Sequence, residues 1–404
     1  MIRHDVVVIG AGITGMAAAL SASRSGADVA VVSRLHPIRA LSCADEVLNE
    51  LSREALLEAG QGLADEHAID RICTLLPGVV DAAERRGARL AHPATAHHLA
   101  TSLARELLAA GVPIYEDHSV LALDTASGRC CGAVCWDFRA GVARAVSAAS
   151  TVLATGGSPG GLIAAFRSGV PLRDAEMIEF DGSRARFRIG GVSADTHGRT
   201  PIVGLFAAGE AASTGVHGAT VLPGASLAEA LACGDAAGAA AASDATLAGT
   251  EFAFVSDAAV RASERSLQEQ FDATSNERAA TARASLAELE RTAAGPTRSA
   301  GALTDGLTSV RALKTRLRAT PIRDRALRCN AELVSLLDLQ ARAQLAECVL
   351  TSALGRTETR GTHVRTDFPT RDDERWQRHT LAWHDADAAR LGYAPVRSRE
   401  IVRA

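Results

Sequence analysis

The sequence predicts an α/β fold with a Rossmann-like first part and a helical bundle behind it. Three observations predict this. The chain opens on a short apolar run, "HDVVVI" at 4–9, that meets glycines at once and leads through a small-residue stretch to a second apolar run. Two later apolar runs, "TVLATGG" and "GLFAAGEAA", also end in glycine turns. From about residue 254 glycine thins and long Ala/Arg/Glu/Leu stretches take over.

In chain order, the first run is a buried strand, "ITGMAAALSASRSG" a helix stopped by Gly26, and "ADVAVVSR" a second buried strand. This is a β-α-β unit with a tight first turn. Residues 45–88 read as helices, with "AIDRICTLLPGVVDAAERRG" broken near Pro77. "HHLATSLARELLAAG" is a further amphipathic helix. Residues 112–157 read as a run of strands with turns at "ASG" and "RAG". "GLIAAFRSGVP" is a short helix, "PIVGLFAAGEAA" a buried strand, and "GASLAEALACGDAAGAAAA" a helix opened by a small-residue turn. Within 325–355, Leu333, Leu336, Leu337, Ala341, Leu345, Cys348 and Val349 share one apolar face. These readings give two domains, 1–250 and an antiparallel helical bundle at 251–404.

The 404 residues are 47% hydrophobic, enough for a large core. The formal net charge of −4 gives no electrostatic case for nucleic acid. No run of about 18 apolar residues predicts a membrane span, and the chain enters a strand without a leader-like segment. The eight cysteines, at 43, 73, 130, 131, 135, 233, 329 and 348, form neither a C-x-x-C pair nor a metal-ligand spacing. Reduced thiols and a cytoplasmic location are expected.

Gly10, Gly12 and Gly15 form "GAGITG" between strand and helix. The first glycine makes the turn, the second admits a pyrophosphate to the backbone, and the third lets helix and strand pack closely. The second strand ends in Ser33 and Arg34 rather than in the acid that holds a ribose hydroxyl. Arg34 suggests a 2′-phosphate and hence NADP. The two later glycine-ended strands argue instead for FAD, with Glu210 placed to accept a ribityl hydroxyl.

Taken together these segments resemble the succinate dehydrogenase and fumarate reductase flavoprotein subunit family, which includes L-aspartate oxidase. The residues carrying the resemblance are the first 34, "GVPLRDAEMIEF", "GLFAAGEAASTGVHGATVLPGASLAEALACGDAAG", "LTDGLTSVRALKTRLRAT" and, most specifically, "RTETRGTHVRTDFPTRDDERWQRHT". The resemblance includes Ser33 followed by a basic residue, which weakens the NADP reading. It implies a two-dinucleotide-binding type of fold with FAD held through Gly10, Gly12, Gly15, Ser33, Arg34, Ala154, Thr155, Gly156, Gly209, Glu210, Ser226 and Leu227. It also implies that the helix after Gly224 points its N-terminus at the flavin pyrimidine edge, where it would stabilise negative charge.

The sequence departs from the family at several places. Leu41 stands where the family carries the histidine that can attach FAD covalently, so the cofactor is expected to be non-covalent. Asp181-Gly182-Ser183 replaces a His-Pro-Thr element. A capping domain of roughly a hundred residues, the size of a small domain, is missing near 181–189. Arg186 aligns with a family histidine, and Val221 with a carboxylate-binding arginine, while His217 is retained. Clamping two carboxylates needs several buried cations, and losing one typically costs about 2–5 kcal/mol. Succinate, fumarate and aspartate are therefore not expected as substrates.

Arg184, Arg186 and Arg188 alternate on an extended stretch and would share one face. They form either a new anion clamp, with Asp181 as a base, or a solvated hairpin at the seam of the missing domain. Arg186 and His217 are the candidate catalytic residues. Arg360, His363 and Arg365 are expected to hold the helical domain against the first. Three readings follow: an FAD-dependent oxidoreductase acting by hydride transfer on another substrate, bulky or carrier-tethered, with a partner subunit as lid; an electron-transferring subunit with an iron–sulfur partner in trans, peripheral to a membrane through that partner; or a non-catalytic relative.

Overall fold

The computed structural model describes residues 2–37, 51–85, 87, 95–181, 184–186, 189–249, 252–386 and 388–397, with 181 and 184–186 as backbone only. β1 (Ile2–Ile9), α1 (Ile13–Arg24) and β2 (Val29–Val32) form the expected β-α-β unit. Val6, Val7, Val8 and all of β2 are buried. That continuous apolar run suits parallel strands covered on both faces. α2 (Arg53–Gly60), α3 (Glu66–Arg85) and α4 (Thr95–Ala109) follow, then β3 (Ile114–Tyr115) and a meander of β4 (His118–Ala126), β5 (Arg129–Asp137) and β6 (Val142–Leu153).

α3 is not broken at Pro77 but runs through it. The buried face uses Ala68, Ile69, Ile72, Leu76 and Ala83, whereas Pro77 itself is exposed. The hydrogen bond lost at proline therefore lies on the solvent side, where water can replace it. The meander follows its turn signals: Ser127 and Gly128 have φ of 51° and 77°, the two left-handed residues of a two-residue hairpin turn.

The main sheet runs β3-β2-β1-β6-β5-β4. β6 joins its two halves. Val142–Ser147 pair antiparallel with β5, and the later residues pair parallel with β1 on one side. On the other side Thr151–Leu153 pair parallel with β11 (Leu205–Ala207). Before β11 come α5 (Pro159–Arg167), β7 (Leu172–Arg173), the hairpin of β8 (Glu179–Asp181) and β9 (Arg184–Arg186), and β10 (Gly191–Ser193). In that hairpin the register sets Glu179 opposite Arg186 and Asp181 opposite Arg184. β12 (Ala212–Ser213) and α6 (Ala225–Ala248) complete the first part.

The rest contains α7 (Asp257–Asp272), α8 (Ala279–Ala293), β13 (Thr297–Arg298), α9 (Ala300–Arg318) and α10 (Ala331–Gly355), then β14 (Val364–Arg365), α11 (Asp373–Trp376), β15 (Arg378–Asp385) and β16 (Ala388–Pro395). Ser256, Ser299 and Asn330 cap α7, α9 and α10 through side-chain oxygens. Leu333, Leu336, Leu345 and Leu350 of α10 are buried, and each burial contributes about 1.5–3 kcal/mol. The expected bundle does not extend to the end of the chain. β15 and β16 pair as an antiparallel hairpin and join a second sheet, β12-β10-β7-β15-β16. The period-two spacing of Leu381 and Trp383, and of Leu391 and Tyr393, fits this strand pairing. One hydrophobic cluster contains Val7, Leu153, Leu333 and Leu350, so the core is continuous between the two parts.

A buried ionic network crosses the same junction. Arg356, with no exposed surface, bonds Glu176 and Glu358 at 2.7 Å each. Arg360 binds both oxygens of Glu358 and donates to the Gln61 carbonyl. Arg298 donates to the carbonyls of Glu176 and Ile178. His363 accepts at Nδ1 from Arg298 and donates from Nε2 to the Arg356 carbonyl. Burial and the adjacent Arg298 charge lower its pKa to about 3, so it is neutral. Arg365 binds Asp367 and the Ala353 carbonyl. Deleting one member of such a network strands a buried charge. Arg356→Ala is expected to destabilise the fold by about 3–5 kcal/mol in urea denaturation; a loss under about 1 kcal/mol would show the network to be energetically idle.

Candidate functional site

The C-terminal ends of β1, β6 and β11 lie side by side. Ala154 N donates to the Ile9 carbonyl at 2.9 Å and Ala208 N to the Leu153 carbonyl at 3.0 Å. Their glycine turns therefore meet at the edge where open α/β sheets bind ligands. Gly10 has φ 115°, and a Cβ there would sit 2.2 Å from the Ala154 oxygen. A Cβ on Gly15 would meet the Gly10 oxygen at 1.9 Å, and one on Gly209 would meet Thr14 Oγ1 at 2.3 Å. Gly156, also at positive φ, lies against Glu210 Oε2. Gly12 is the N-cap of α1 and contributes no side chain. Thr155 Oγ1 is buried at this edge without a hydrogen-bond partner among the described residues. Ser33 closes β2 and is buried. The sequence-predicted cofactor residues from all four strand ends are thus neighbours.

α6 enters this edge from the other side. Its N-cap, Gly224, is left-handed at φ 85° and supplies no side-chain bond. Ser226 and Leu227 of the first turn are buried. α6 approaches α1 through Gly234 and Gly238, where a Cβ would come within 2.7 Å of Thr14 O and 2.1 Å of Ala18 O. This cradle fits an extended dinucleotide: close backbone, two helix N-termini and an orphaned hydroxyl.

Next to it is a narrow recess bordered by Asp174, Gly190, Thr214, Gly215, His217 and Glu229 among others. His217 Nε2 lies 2.7 Å from Glu229 Oε2, and Thr214 donates to Glu229 Oε1 at 2.6 Å. Glu229 and Thr214 were not singled out in the sequence; the one usable signal is a lone acid in the first turns of an alanine-rich helix.

Behind the recess, His379 of β15 lies between two buried carboxylates, Nδ1 2.7 Å from Asp174 and Nε2 3.3 Å from Asp65. Arg173 also bonds Asp65, and its other terminal nitrogen donates to the Ala194 carbonyl. Burial alone would depress the His379 pKa, but the charge and hydrogen bond of Asp174 and the bond to Asp65 outweigh it and raise it to about 9. Burial likewise opposes ionisation of Asp65 and Asp174, and the His379 and Arg173 partners reverse that, leaving both below their ordinary values.

Arg34 is ion-paired with Asp338 of α10 at 2.5 Å. Val221 is half-buried and packs against Leu56 and Leu63 neighbours. Leu41 and Arg188 lie outside the described residues, and of Arg184 and Arg186 only the backbone of β9 is described. Arg360, His363 and Arg365 sit in the buried network described above.

Known proteins extend this picture. A family model described as "Fumarate reductase flavoprotein C-term" matches residues 283–403. One described as "Pyridine nucleotide-disulphide oxidoreductase" matches 4–177, and one described as "FAD binding domain" matches 182–227. The chain is 37% identical over 216 residues to a fumarate reductase flavoprotein subunit of Mycobacterium tuberculosis, covering 52% of this chain and 37% of that one. The Escherichia coli counterpart is 32% identical, with 53% and 36% covered. The matched part thus spans little over a third of these relatives' length. Among solved structures, E. coli quinol fumarate reductase superposes with a TM-score of 0.90 at 21% identity, over 98% of this chain and 97% of that one. Mycobacterium smegmatis Sdh1 gives 0.88 at 20%, over 98% and 95%.

The His379 cluster sets a pH dependence. With a folded pKa of about 9 against an unfolded value near 6.5, its contribution is complete below about pH 6.5 and is lost as pH rises through 9. The melting temperature of the protein should fall over that interval, and His379→Gln should flatten the fall; an equal slope in the variant would contradict the assignment.

Proposed function

Because the chain belongs to the fumarate reductase and succinate dehydrogenase flavoprotein family, we propose that it is an FAD-dependent oxidoreductase that has kept the cofactor cradle and changed its substrate. The observation that carries this reading is the meeting of three strand ends on glycines that tolerate no side chain, with Thr155 Oγ1 buried and unpartnered beside them. Bound flavin supplies hydride transfer. The chain's own residues do the holding. Gly10, Gly12 and Gly15 bring backbone amides to the pyrophosphate, while Ser33 and Glu210 serve the sugar hydroxyls. Thr155 supplies one hydrogen bond, and Ser226 and Leu227 present the N-terminus of α6. With an aliphatic Leu41 in place of the attaching histidine, the cofactor is non-covalent.

Two features support a substrate other than succinate or fumarate. Val221 occupies an apolar niche where the resemblance implies an arginine. Arg173, next in sequence to Asp174 on the recess border, is committed to Asp65 and Ala194. A second reading keeps the cofactor and adds a partner. The relatives are flavoprotein subunits by name, which favours an iron–sulfur or lid-forming partner for this chain. Among the described residues no helix is long and apolar enough to cross a membrane.

The test is direct. Purified protein should be yellow, and acid denaturation should release FAD into the supernatant. Flavin retained in the pellet would overturn the non-covalent assignment, and failure to bind added FAD would overturn the whole reading. Thr155→Val should weaken FAD binding about tenfold in fluorescence titration, the effect of one hydrogen bond near 1.4 kcal/mol.

A further inference from the structure

We propose that the recess beside His217 recognises a hydroxyl or amine of its ligand, not a carboxylate, with Nδ1 of His217 as the accepting atom and Glu229 as the residue that positions it. Its place in catalysis rests on the flavoprotein reading; its hydrogen-bond chemistry does not.

His217 is 6% exposed and Glu229 4%. The two oxygens of Glu229 are each engaged, one by Thr214 Oγ1 at 2.6 Å and the other by His217 Nε2 at 2.7 Å. A carboxylate only accepts, so the hydrogen-bond network places a ring proton on Nε2. With that single proton on the ring, Nδ1 is a bare acceptor. It is buried and meets no partner among the described residues. A buried acceptor left in that state carries a desolvation cost that a donor on the ligand would recover. Thr214 has spent its single hydrogen on Glu229, so its oxygen can offer a second acceptor at the same wall.

The polar groups around the recess point the same way. Asp174 and Glu229 border it, and no lysine or arginine side chain does so among the described residues. Asp65 lies just behind Gly215, where a Cβ would strike its Oδ2 at 2.4 Å. Asp174 and Asp65 are matched by His379 and Arg173. What the wall leaves unspent is acceptors, Nδ1 of His217 and the Thr214 oxygen. A hydroxyl or amine can satisfy them and a carboxylate, which only accepts, cannot.

Ring-15N-histidine NMR on the protein, with and without FAD, tests this. His217 signals are assigned by their loss in His217→Gln and, should that variant not fold, by their displacement in Glu229→Asp. The expected result is a protonated Nε2 and a bare Nδ1. Glu229→Gln should lose this tautomer preference, because an amide nitrogen facing Nε2 would reverse the bond, and Glu229→Asp should restore it in part. Titration with 1-amino-2-propanol should shift Nδ1, and malonate should leave it in place. A wild-type ring protonated at Nδ1, an unchanged preference in Glu229→Gln, a shift by malonate, or no shift by the amino alcohol would each overturn the proposal. Failure of the flavoprotein reading would appear separately, as absence of the flavin spectrum while the flavin-free protein still reports its tautomer.

Discussion

The contact between Arg356 and Glu176 is the constraint on which most of this molecule depends. Both side chains have no exposed surface and meet at 2.7 Å. A guanidinium at such a place is stable only if its donors are matched. Glu358, the carbonyls of Trp376 and Arg378, and the Trp376 ring face supply the remaining partners. Burial opposes the Arg356 charge, and the carboxylates of Glu176 and Asp174 more than compensate, leaving the group more basic than usual. Because the geometry must be kept to avoid an orphaned charge, the turn 174–177 is pinned to the end of α10. Asp174, held at φ 52°, and Gly190, packed against its carbonyl, are fixed with it. The recess wall is therefore set by a network that does not itself line the recess.

The cofactor edge has a different basis. It depends on β6, a strand long enough to belong to a meander at one end and to a parallel sheet at the other. That dual role aligns the glycine turn after β6 with those after β1 and β11. α6 then closes the edge through glycines that let its backbone approach α1. A frame built from backbone proximity tolerates wide change in side chains. This accounts for how a TM-score of 0.90 coexists with 21% identity.

Much of this was legible locally. The β-α-β unit, the hairpin at Ser127-Gly128 and α6 each carry a short-range signal, a period, a turn residue or a glycine. What was not legible is long-range. Arg34 reads as a cofactor residue from its neighbours, and its pairing with Asp338, 304 positions away, has no local signature. The hairpin of β15 and β16 was folded into the helical bundle because the helices before it dominate the texture. Pro77 predicts a break unless one knows that it faces solvent. Glu229 looked like one polar residue of a helix; only the turn that brings His217 beside it gives it a role. The composition of Arg360, His363 and Arg365 resembles an active site, and burial in a matched network is what the structure assigns them.

We propose a retained flavin cradle beside a recess unsuited to dicarboxylates. Anaerobic stopped-flow reoxidation of the dithionite-reduced, FAD-loaded protein by fumarate tests it most directly. The account predicts that fumarate leaves the reduced flavin spectrum unchanged over the time in which a dye acceptor reoxidises it. Rapid, saturable reoxidation by fumarate would contradict the account.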